Sequence, residues 1–413
     1  MNEKNAKSNV NSLAIFNGHP KFKEKLHVGR PNIGDRVRLL NRINDILDRR
    51  WLTNNGIYLE EFEQRLCEQL GVKHCIVMCN GTVALEIAIR AADLKGEVIL
   101  PSFTFIATAH ALQWQEITPV FCDIDPQSHT INPWQIESLI TPRTTGILAV
   151  HLWGNACDIE SISKIARKHH LKLLFDAAHA FGCSYKGQMI GNFGDAEVFS
   201  FHATKFFNSF EGGAVATNND ELASKIRLMR NFGFSGYDQV DYIGTNGKMS
   251  EISAAMGLTG LESLESFIQL NRKNYNQYAD ELSDIKGLRL FSYKTSEKCN
   301  YQYVILEIDE ELSGLSRDTL MSILWAENVL ARRYFYPGSH RMEPYRSYFP
   351  HAGLLLGETE KLSQRILVLP TGASVTSPEI SEICQVIRIS LSNSREINQR
   401  LREKESKVSL VGS

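Results

Sequence analysis

The sequence predicts an α/β protein built on a mostly parallel seven-stranded sheet, with a smaller α+β domain in its C-terminal part. Between residues 35 and 235, short apolar runs rich in β-branched residues alternate with segments of helical periodicity, as in a sheet wrapped by helices. From Met249 to about Leu282 the periodicity is helical throughout, and a strand pattern returns only at YQYVILEI (301–308). A chain of 413 residues is long enough to form both domains.

The domain boundaries are placed where these patterns change. We expect a large domain over 26–265, with its boundary inside the long helix, and a small domain over 266–395. The polar start (1–25) and the charged end (396–413) are expected to be flexible tails. The strands predicted for the large domain are HCIVM (74–78), EVIL (97–100), PVFCDI (119–124), GILAVHL (146–152), LKLLF (171–175), AEVFSF (196–201) and GAVAT (213–217). In the small domain, helices are predicted at DTLMSILWAEN (318–328) and from Pro378 onward.

Charge and apolar patterning exclude several classes of protein. The chain has 45 Lys and Arg against 47 Asp and Glu and no dense basic cluster, so nucleic acid is not an expected partner. No apolar run reaches the length of about 18 residues typical of a membrane helix. The segment from Met1 to Pro20 lacks the apolar centre of a signal peptide, so we expect no secretion.

The distribution of the cysteines predicts that the protein occupies a reducing compartment. All eight are scattered through apolar segments, which favours reduced core residues in a cytoplasmic protein. Cys75 and Cys79 are an alternative zinc-binding pair, but no second pair of ligands follows them. We therefore expect no metal site.

Polar residues follow the predicted strands, where ligands bind in α/β sheets. Asn80-Gly81-Thr82 follows HCIVM and opens a helix, so its glycine and first-turn N–H groups can approach a phosphate. The alternative is a capped turn without a ligand. Asp176 ends LKLLF and can hold a protonated ring nitrogen, or merely cap a helix.

Lys205 is the candidate nucleophile. It ends the segment Ser200-Phe201-His202-Ala203-Thr204-Lys205 after another predicted strand, and a lysine in a partly buried turn has a lowered pKa and attacks aldehydes. A single lysine is more often a solvated surface charge. The other candidate residues near Lys205 are what favour a catalytic role for it. Phe105 follows EVIL and can stack on a planar cofactor or belong to the core.

These segments resemble, in order, the DegT/DnrJ/EryC1/StrS family of nucleotide-sugar aminotransferases, a branch of the fold-type I pyridoxal-phosphate (PLP) enzymes. The resemblance runs from about Val28 to Leu391, nearly the whole chain. The matching stretches are RPNIGD (30–35), WLTNNG (51–56), NGTVAL (80–85), PSFTFIAT (101–108), DAAHAFG (176–182), FSFHATK (199–205), EGGAV (211–215), NGKMSEISAAMG (246–257), RRYFYP (332–337) and LPTG (369–372).

The resemblance implies a role for each catalytic candidate. Lys205 would hold PLP as a Schiff base and move a proton between substrate and cofactor carbons. Asp176 would pair with the pyridine nitrogen, His179 would lie near the phenolic oxygen, and Phe105 would stack on the ring. The large domain would then be the PLP-binding domain.

The resemblance also implies how the phosphate is bound. Gly81, Thr82 and Ser200 would contact it from one subunit, and Asn246 would reach it from the neighbouring subunit. This implies a homodimer with shared active sites.

The reaction that the resemblance implies is transfer of an amino group from glutamate to a nucleotide-linked keto-sugar. RRYFYPGSHRMEPYR (332–346) is similar to members that aminate C4 of dTDP-4-keto-6-deoxyglucose for surface polysaccharide. Tyr336 and His340 are the candidate sugar contacts, and Arg332 or Arg333 the candidate contact to a carboxylate or diphosphate. The alternative for these side chains is a core or dimer-interface role.

Several alternatives stay open at this point. Amination at C3 and a UDP- or GDP-linked sugar fit the same cofactor residues, as do fold-type I lyases or decarboxylases and a non-enzymatic relative. Lys248 stands where many members have Arg, and Ser339 follows Gly338 where they have a bulkier residue. One branch replaces the lysine with His and catalyses dehydration, and Lys205 argues against that branch.

Overall fold

The computed structural model describes residues 7–411, with side chains described to residue 404. Its central sheet has seven strands at the predicted places, parallel except for Gly213–Thr217, which is antiparallel to both neighbours. The predicted fold class is therefore confirmed. The spatial order of the strands is His74–Met78, Gly213–Thr217, Ala196–Ser200, Lys172–Asp176, Thr144–Val150, Glu97–Pro101 and Thr118–Cys122.

The sheet is buried on both faces, which explains its uninterrupted apolar strands. In the first strand, Cys75 and Val77 belong to the hydrophobic cluster on one face, and Ile76 and Met78 to the cluster on the other. The helices of this part are Arg36–Arg49, Ile57–Leu70, Gly81–Ala91, Ile106–Gln113, Pro133–Ile136, Ile159–Lys168, Asp220–Arg230 and Glu251–Glu262. Short 3₁₀ turns lie at Glu137–Leu139 and Leu152–Gly154, and a small hairpin pairs Ser184–Tyr185 with Gln188–Met189.

The predicted long helix is two helices. Glu251–Glu262 and Leu264–Leu282 are separated at Ser263, whose φ of −109° and ψ of 3° leave the helical region. This break lies two residues before the proposed domain boundary at 265. The division into two domains stays a prediction.

The C-terminal part contains a three-stranded antiparallel sheet of Leu288–Leu290, Val304–Ile308 and Ile366–Leu369. Both predicted helices are present, as Arg317–Ala326 and Ser377–Ser392. The other helices here are Glu310–Ser313, Tyr345–Tyr348, Gly357–Arg365 and Ser394–Val411, with 3₁₀ turns at Ser339–Arg341, Ala352–Leu355 and Gly372–Ser374.

Residues 7–25 of the predicted N-terminal tail pack against the C-terminal part of the chain, and residues 1–6 of that tail lie outside the described residues. Val10 and Leu13 are buried in the C-terminal hydrophobic cluster, within or beside the 3₁₀ turns Val10–Ser12 and Ala14–Phe16. The strand Leu26–His27 then pairs in parallel with Val329–Leu330. The segment is ordered because its apolar residues and backbone donors have partners far along the chain.

The C-terminal segment also differs from the expected tail. Ser394–Val411 is an α-helix, and Ile397 is fully buried in the same cluster as Val10. Among residues 7–411, no helix combines the length and the hydropathy that crossing a bilayer requires.

Candidate active site

A cavity of about 390 Å³ opens beyond the carboxyl ends of the parallel strands. The strands Lys172–Asp176 and Ala196–Ser200 end beside each other there, and the helix Gly81–Ala91 begins at the same edge. Eight of the sequence-predicted site residues line this one cavity: Gly81, Thr82, Phe105, Asp176, His179, Ser200, Lys205 and Arg332.

The N-terminus of the helix Gly81–Ala91 forms one wall. Asn80 caps it, because its side-chain oxygen accepts a hydrogen bond from the N–H of Val83 at 2.8 Å. The N–H groups of Gly81 and Thr82 come before the first intrahelical bonds, so the helix itself gives them no acceptor. A Cβ on Gly81 would lie 3.0 Å from Ser200 Cβ, so only glycine keeps this approach open. This wall suits a phosphate group.

Asp176 is held in place at the end of its strand. Thr108 donates a hydrogen bond to Oδ2 at 2.8 Å, and the N–H of Ala178 donates one to Oδ1 at 3.0 Å. Burial raises the pKa of the Asp176 carboxyl above its usual value, while these bonds and the charge of Lys205 oppose the rise. A cation in the cavity would favour the carboxylate further, so a protonated pyridine nitrogen fits here.

His179 presents an uncharged ring. Burial holds its pKa well below the usual value, and the positive charge of Lys205 acts in the same direction. Its Nδ1 lies 3.3 Å from the N–H of Trp153 and accepts a hydrogen bond from it, so the neutral ring carries its proton on Nε2. The ring is stacked with Trp153 and Phe335. This packing fixes its orientation.

Lys205 is placed by a turn after the strand Ala196–Ser200. Its N–H bonds to the carbonyl of His202 at 2.8 Å, which closes the turn. Burial lowers the pKa of Lys205 to about 8, and Asp176 opposes this change. The amine is therefore a competent nucleophile near neutral pH.

The aromatic candidate Phe105 lies at the mouth of the cavity. It is the N-cap residue of the helix Ile106–Gln113, and 58% of its surface is exposed. A ring that exposed has free area for contact with a flat ligand. The cavity thus combines an amine nucleophile, a carboxylate, an exposed aromatic ring and a helix N-terminus that can bind an anion. These groups fit PLP.

Three predicted site residues are elsewhere. His340 is 2% exposed and lies between Ser102 Oγ, at 2.6 Å, and Glu360 Oε1, at 2.8 Å. Tyr336 lies beneath the guanidinium of Arg333, at 4.1 Å from its ring centroid. The structure does not bring either side chain to the cavity.

Asn246, the third of these residues, is exposed on the surface. Its backbone pairs with that of Asn231, and the next residue, Gly247, accepts a hydrogen bond from the N–H of Cys79. It therefore lies close in space to the start of the helix Gly81–Ala91, which Cys79 precedes by two residues, without lining the cavity of its own subunit.

Sequence reasoning missed several residues of the site. Thr108, which orients Asp176, lies in PSFTFIAT, where its hydroxyl follows the highlighted Phe105 by three positions. Tyr303, Tyr334 and Phe335 also line the cavity. Tyr334 and Phe335 belong to the RRYFYP segment, in which the sequence analysis named Tyr336 as the sugar contact.

This fold and this site define a fold-type I PLP enzyme. The chain belongs to the DegT/DnrJ/EryC1/StrS aminotransferase family, whose sequence pattern matches residues 35–388. It is therefore a PLP-dependent aminotransferase, and its cofactor is PLP.

Similar proteins are related over nearly their full length. A dTDP-4-amino-4,6-dideoxy-D-glucose transaminase from Shigella dysenteriae is 38% identical over 374 residues, which are 89% of this chain and 99% of that protein. A GDP-perosamine synthase from Caulobacter vibrioides is 33% identical over 87% of this chain and 96% of its own. The crystal structure of DesI, determined in the presence of its TDP-sugar product, superimposes with a TM-score of 0.91 and 46% identity, and covers 95% of this chain and 100% of its own.

Proposed function

We propose that this enzyme transfers an amino group from glutamate to C4 of dTDP-4-keto-6-deoxy-D-glucose, giving dTDP-4-amino-4,6-dideoxy-D-glucose. The observation that carries the proposal is one cavity that holds Lys205, Asp176 and the open N-terminus of the helix Gly81–Ala91. The Shigella dysenteriae relative supports the choice of sugar. Such a product serves surface polysaccharide synthesis.

Different residues of the cavity would contact different parts of the cofactor. Gly81, Thr82 and Ser200 would bind the phosphate, and Asp176 would hold the protonated ring nitrogen. Phe105 would stack on the ring, and His179, whose Nε2 carries the proton, would lie near the phenolic oxygen. Bound PLP supplies an electron sink that stabilises negative charge at the reacting carbon of the substrate.

Lys205 has two tasks in this proposal. It attaches the cofactor covalently, and when substrate displaces it, the free amine accepts and returns the proton at the substrate carbon. Burial lowers its pKa to about 8, which leaves a fraction of the amine free to accept a proton near neutral pH. Arg332, at the rim of the same cavity, contacts the anionic group of a substrate; Arg333 instead lies 3.1 Å from Asp318.

A homodimer completes the site in this proposal. The loop that leads to Asn246 exposes Phe232, Phe234, Tyr237 and Ile243, an apolar surface that a partner subunit would cover. Asn246 of each subunit would then reach the phosphate in its partner. We place the enzyme in the cytoplasm, where its eight free thiols would stay reduced.

A GDP-linked keto-sugar is the second candidate substrate. The observation that favours it is the 33% identity to the GDP-perosamine synthase over most of both chains. The cofactor residues and the chemistry at Lys205 would be the same, and only the nucleotide would differ.

The test has two stages. PLP-loaded protein is first mixed with glutamate alone, and the proposal expects its absorbance to change to that of the aminated cofactor. The aminated enzyme is then mixed with the dTDP-, UDP- and GDP-linked 4-keto-6-deoxy sugars, and the position of the new amine is read by NMR. An absorbance that glutamate leaves unchanged would refute glutamate as the amino donor. An amine at C3, or on a UDP- or GDP-sugar only, would refute the chosen substrate.

A further inference from the structure

Lys205 lies in the irregular segment 201–212, which connects two strands of the seven-stranded sheet. Its N–H bonds to the carbonyl of His202, and this bond fixes only the start of the turn. A lysine side chain has a flexible four-carbon stem, so the position of its backbone decides which points Nζ can reach. Displacement of a reacting group by about 1 Å can cost about a hundredfold in rate. The contacts that hold the backbone after Lys205 therefore bear on its chemistry.

Both backbone groups of Phe206, the residue after Lys205, are bonded to side chains from distant segments. The carbonyl of Phe206 accepts a hydrogen bond from Asn32 Nδ2 at 2.8 Å, and its N–H donates to Gln302 Oε1 at 3.2 Å. Asn32 is 7% exposed and Gln302 is 6% exposed, so water competes little for either bond. The peptide unit that joins Lys205 to Phe206 is thus held by Gln302, and the next peptide unit by Asn32.

The segment 28–34, which carries Asn32, lies directly against this turn. Asn208 Nδ2 donates to the backbone carbonyl of Asn32 at 2.9 Å, so the two segments are bonded in both directions. A Cβ on Gly29 would lie 2.9 Å from the carbonyl oxygen of Thr204, so only glycine lets the segment approach this closely. Asn32 also precedes residue 35, where the match to the family pattern begins.

Gln302 belongs to a segment that also fixes the backbone at His179. The N–H of Gln302 donates to Asn300 Oδ1 at 3.1 Å. Asn300 is fully buried, and its Nδ2 donates to the carbonyls of His179 at 2.8 Å and Phe181 at 3.0 Å. This segment therefore joins the loop that carries Lys205 to the loop that carries His179.

We propose that Asn32 and Gln302 are positioning residues for Lys205, because they hold the backbone of Phe206 where Lys205 Nζ can reach the aldehyde carbon of PLP. Lys205 Nζ forms a bond to that carbon, and the aldehyde oxygen leaves as water with the two protons of the free amine. Neither Asn32 nor Gln302 lines the cavity that contains Lys205, so both act through the peptide backbone. The inference rests on the proposed role of Lys205, since it concerns how that residue is placed.

Four variants test the inference. Asn32→Leu and Gln302→Met each remove one bond to Phe206 while the side-chain volume changes little. Gln302→Glu keeps an oxygen that can accept the N–H of Phe206. Asn192→Leu is the matched control for Asn32→Leu, since Asn192 Nδ2 also donates to backbone carbonyls of distant and nearby residues but does not line the cavity.

The first measurement is the rate at which cofactor-free protein captures PLP, followed by absorbance in stopped flow. It is made at a pH above the Lys205 pKa of about 8, so that the amine is free. Asn32→Leu and Gln302→Met should each slow the capture by at least about tenfold. Gln302→Glu and Asn192→Leu should stay close to the wild-type rate.

The second measurement is the affinity for pyridoxamine phosphate, which has an amine in place of the aldehyde and forms no bond to Lys205. Its dissociation constant, from calorimetric titration, should be the same in all four variants as in the wild type. The PLP-loaded variants Asn32→Leu and Gln302→Met should also react more slowly with saturating glutamate, with little change in the glutamate concentration that gives half the maximal rate. A general loss of structure would instead weaken the binding of pyridoxamine phosphate and of glutamate.

Three outcomes would overturn the inference. An unchanged capture rate in Asn32→Leu or in Gln302→Met would remove that residue from the proposal. An affinity for pyridoxamine phosphate that falls as far as the capture rate would show a merely structural role, and equal slowing in Asn192→Leu would show that the effect is not specific to Phe206. The two substitutions lie in different segments, so either one suffices if the other variant does not fold.

The proposed role of Lys205 is tested separately by borohydride reduction of the wild type. If the wild type carries PLP on Lys205 but captures it independently of Asn32 and Gln302, this inference alone is contradicted. If Lys205 of the wild type carries no PLP, the proposed function itself fails.

Discussion

Thr108 donates a hydrogen bond to Asp176 Oδ2 at 2.8 Å and so connects a helix to a strand of the seven-stranded sheet. Asp176 ends a central strand, and Thr108 lies in the helix Ile106–Gln113, which follows a strand two places away in the sheet. The bond favours the charged form of a carboxylate whose pKa burial otherwise raises. Thr108 therefore helps to keep Asp176 able to hold a protonated ring nitrogen.

Thr108→Val should weaken PLP binding by about tenfold or more, because a hydrogen bond to a charged group contributes roughly 1.5–3 kcal/mol. Thr108→Ser keeps the hydroxyl and should bind PLP as the wild type does. The dissociation constant can be measured by fluorescence titration of the cofactor-free protein. Equal affinities in the valine and serine variants would contradict this role of the hydroxyl.

Gly81→Ala should also weaken PLP binding, by roughly tenfold. The added methyl group would lie 3.0 Å from Ser200 Cβ and narrow the space at the helix N-terminus. Gly357→Ala is the matched control, since Gly357 also begins a helix and a Cβ there would meet no atom within 4 Å. If both variants bind PLP equally well, the helix N-terminus is not the phosphate site.

The capture of PLP by cofactor-free protein should depend on pH through Lys205. Burial lowers its pKa from 10.5 to about 8, so the reactive free amine becomes the main form as the pH rises through about 8. The rate of capture, followed by absorbance in stopped flow, should rise through that pH and then level off. In Asp176→Asn the midpoint should move to lower pH, because the charge of Asp176 raises the pKa of Lys205. A midpoint near 10 would show that the amine is not desolvated.

Glu327→Ala should lower the free energy of unfolding by about 3–5 kcal/mol, because it leaves the buried Lys7 ammonium without a countercharge. The double variant Lys7→Met/Glu327→Gln removes both charges and should recover part of this loss. Urea unfolding followed by circular dichroism measures each value. A loss below about 1 kcal/mol in Glu327→Ala would mean that this ion pair does not anchor the N-terminal segment to the rest of the chain.

The sequence was sufficient to predict the main sheet and the proximity of Asp176 to Lys205. Strands buried on both faces are continuous apolar runs, and all seven stand out between helical segments. Since parallel strands bring their carboxyl ends to one edge, Asp176 and Lys205 could be expected to meet there, and they line one cavity.

Contacts between distant segments could not be predicted in this way. The local sequence of residues 7–25 predicts a polar tail. Its anchor, Glu327, lies 313 residues beyond Ala14, so no local pattern indicates the contact. Histidine is a residue type that often contacts substrates, but hydrogen bonds with Ser102 and Glu360 hold His340 in the interior. The direction of a side chain in an irregular segment such as 332–341 depends on such tertiary partners, which no local pattern reveals.

The central claim is that Lys205 holds PLP, and borohydride reduction followed by peptide mapping tests it most directly. Reduction of the PLP-loaded protein should fix the cofactor on the peptide that contains Lys205, and on no other lysine. Lys205→Ala should fold as the wild type does, by circular dichroism, and carry no fixed cofactor. A stable adduct in Lys205→Ala, or an adduct on a different lysine of the wild type, would contradict the claim.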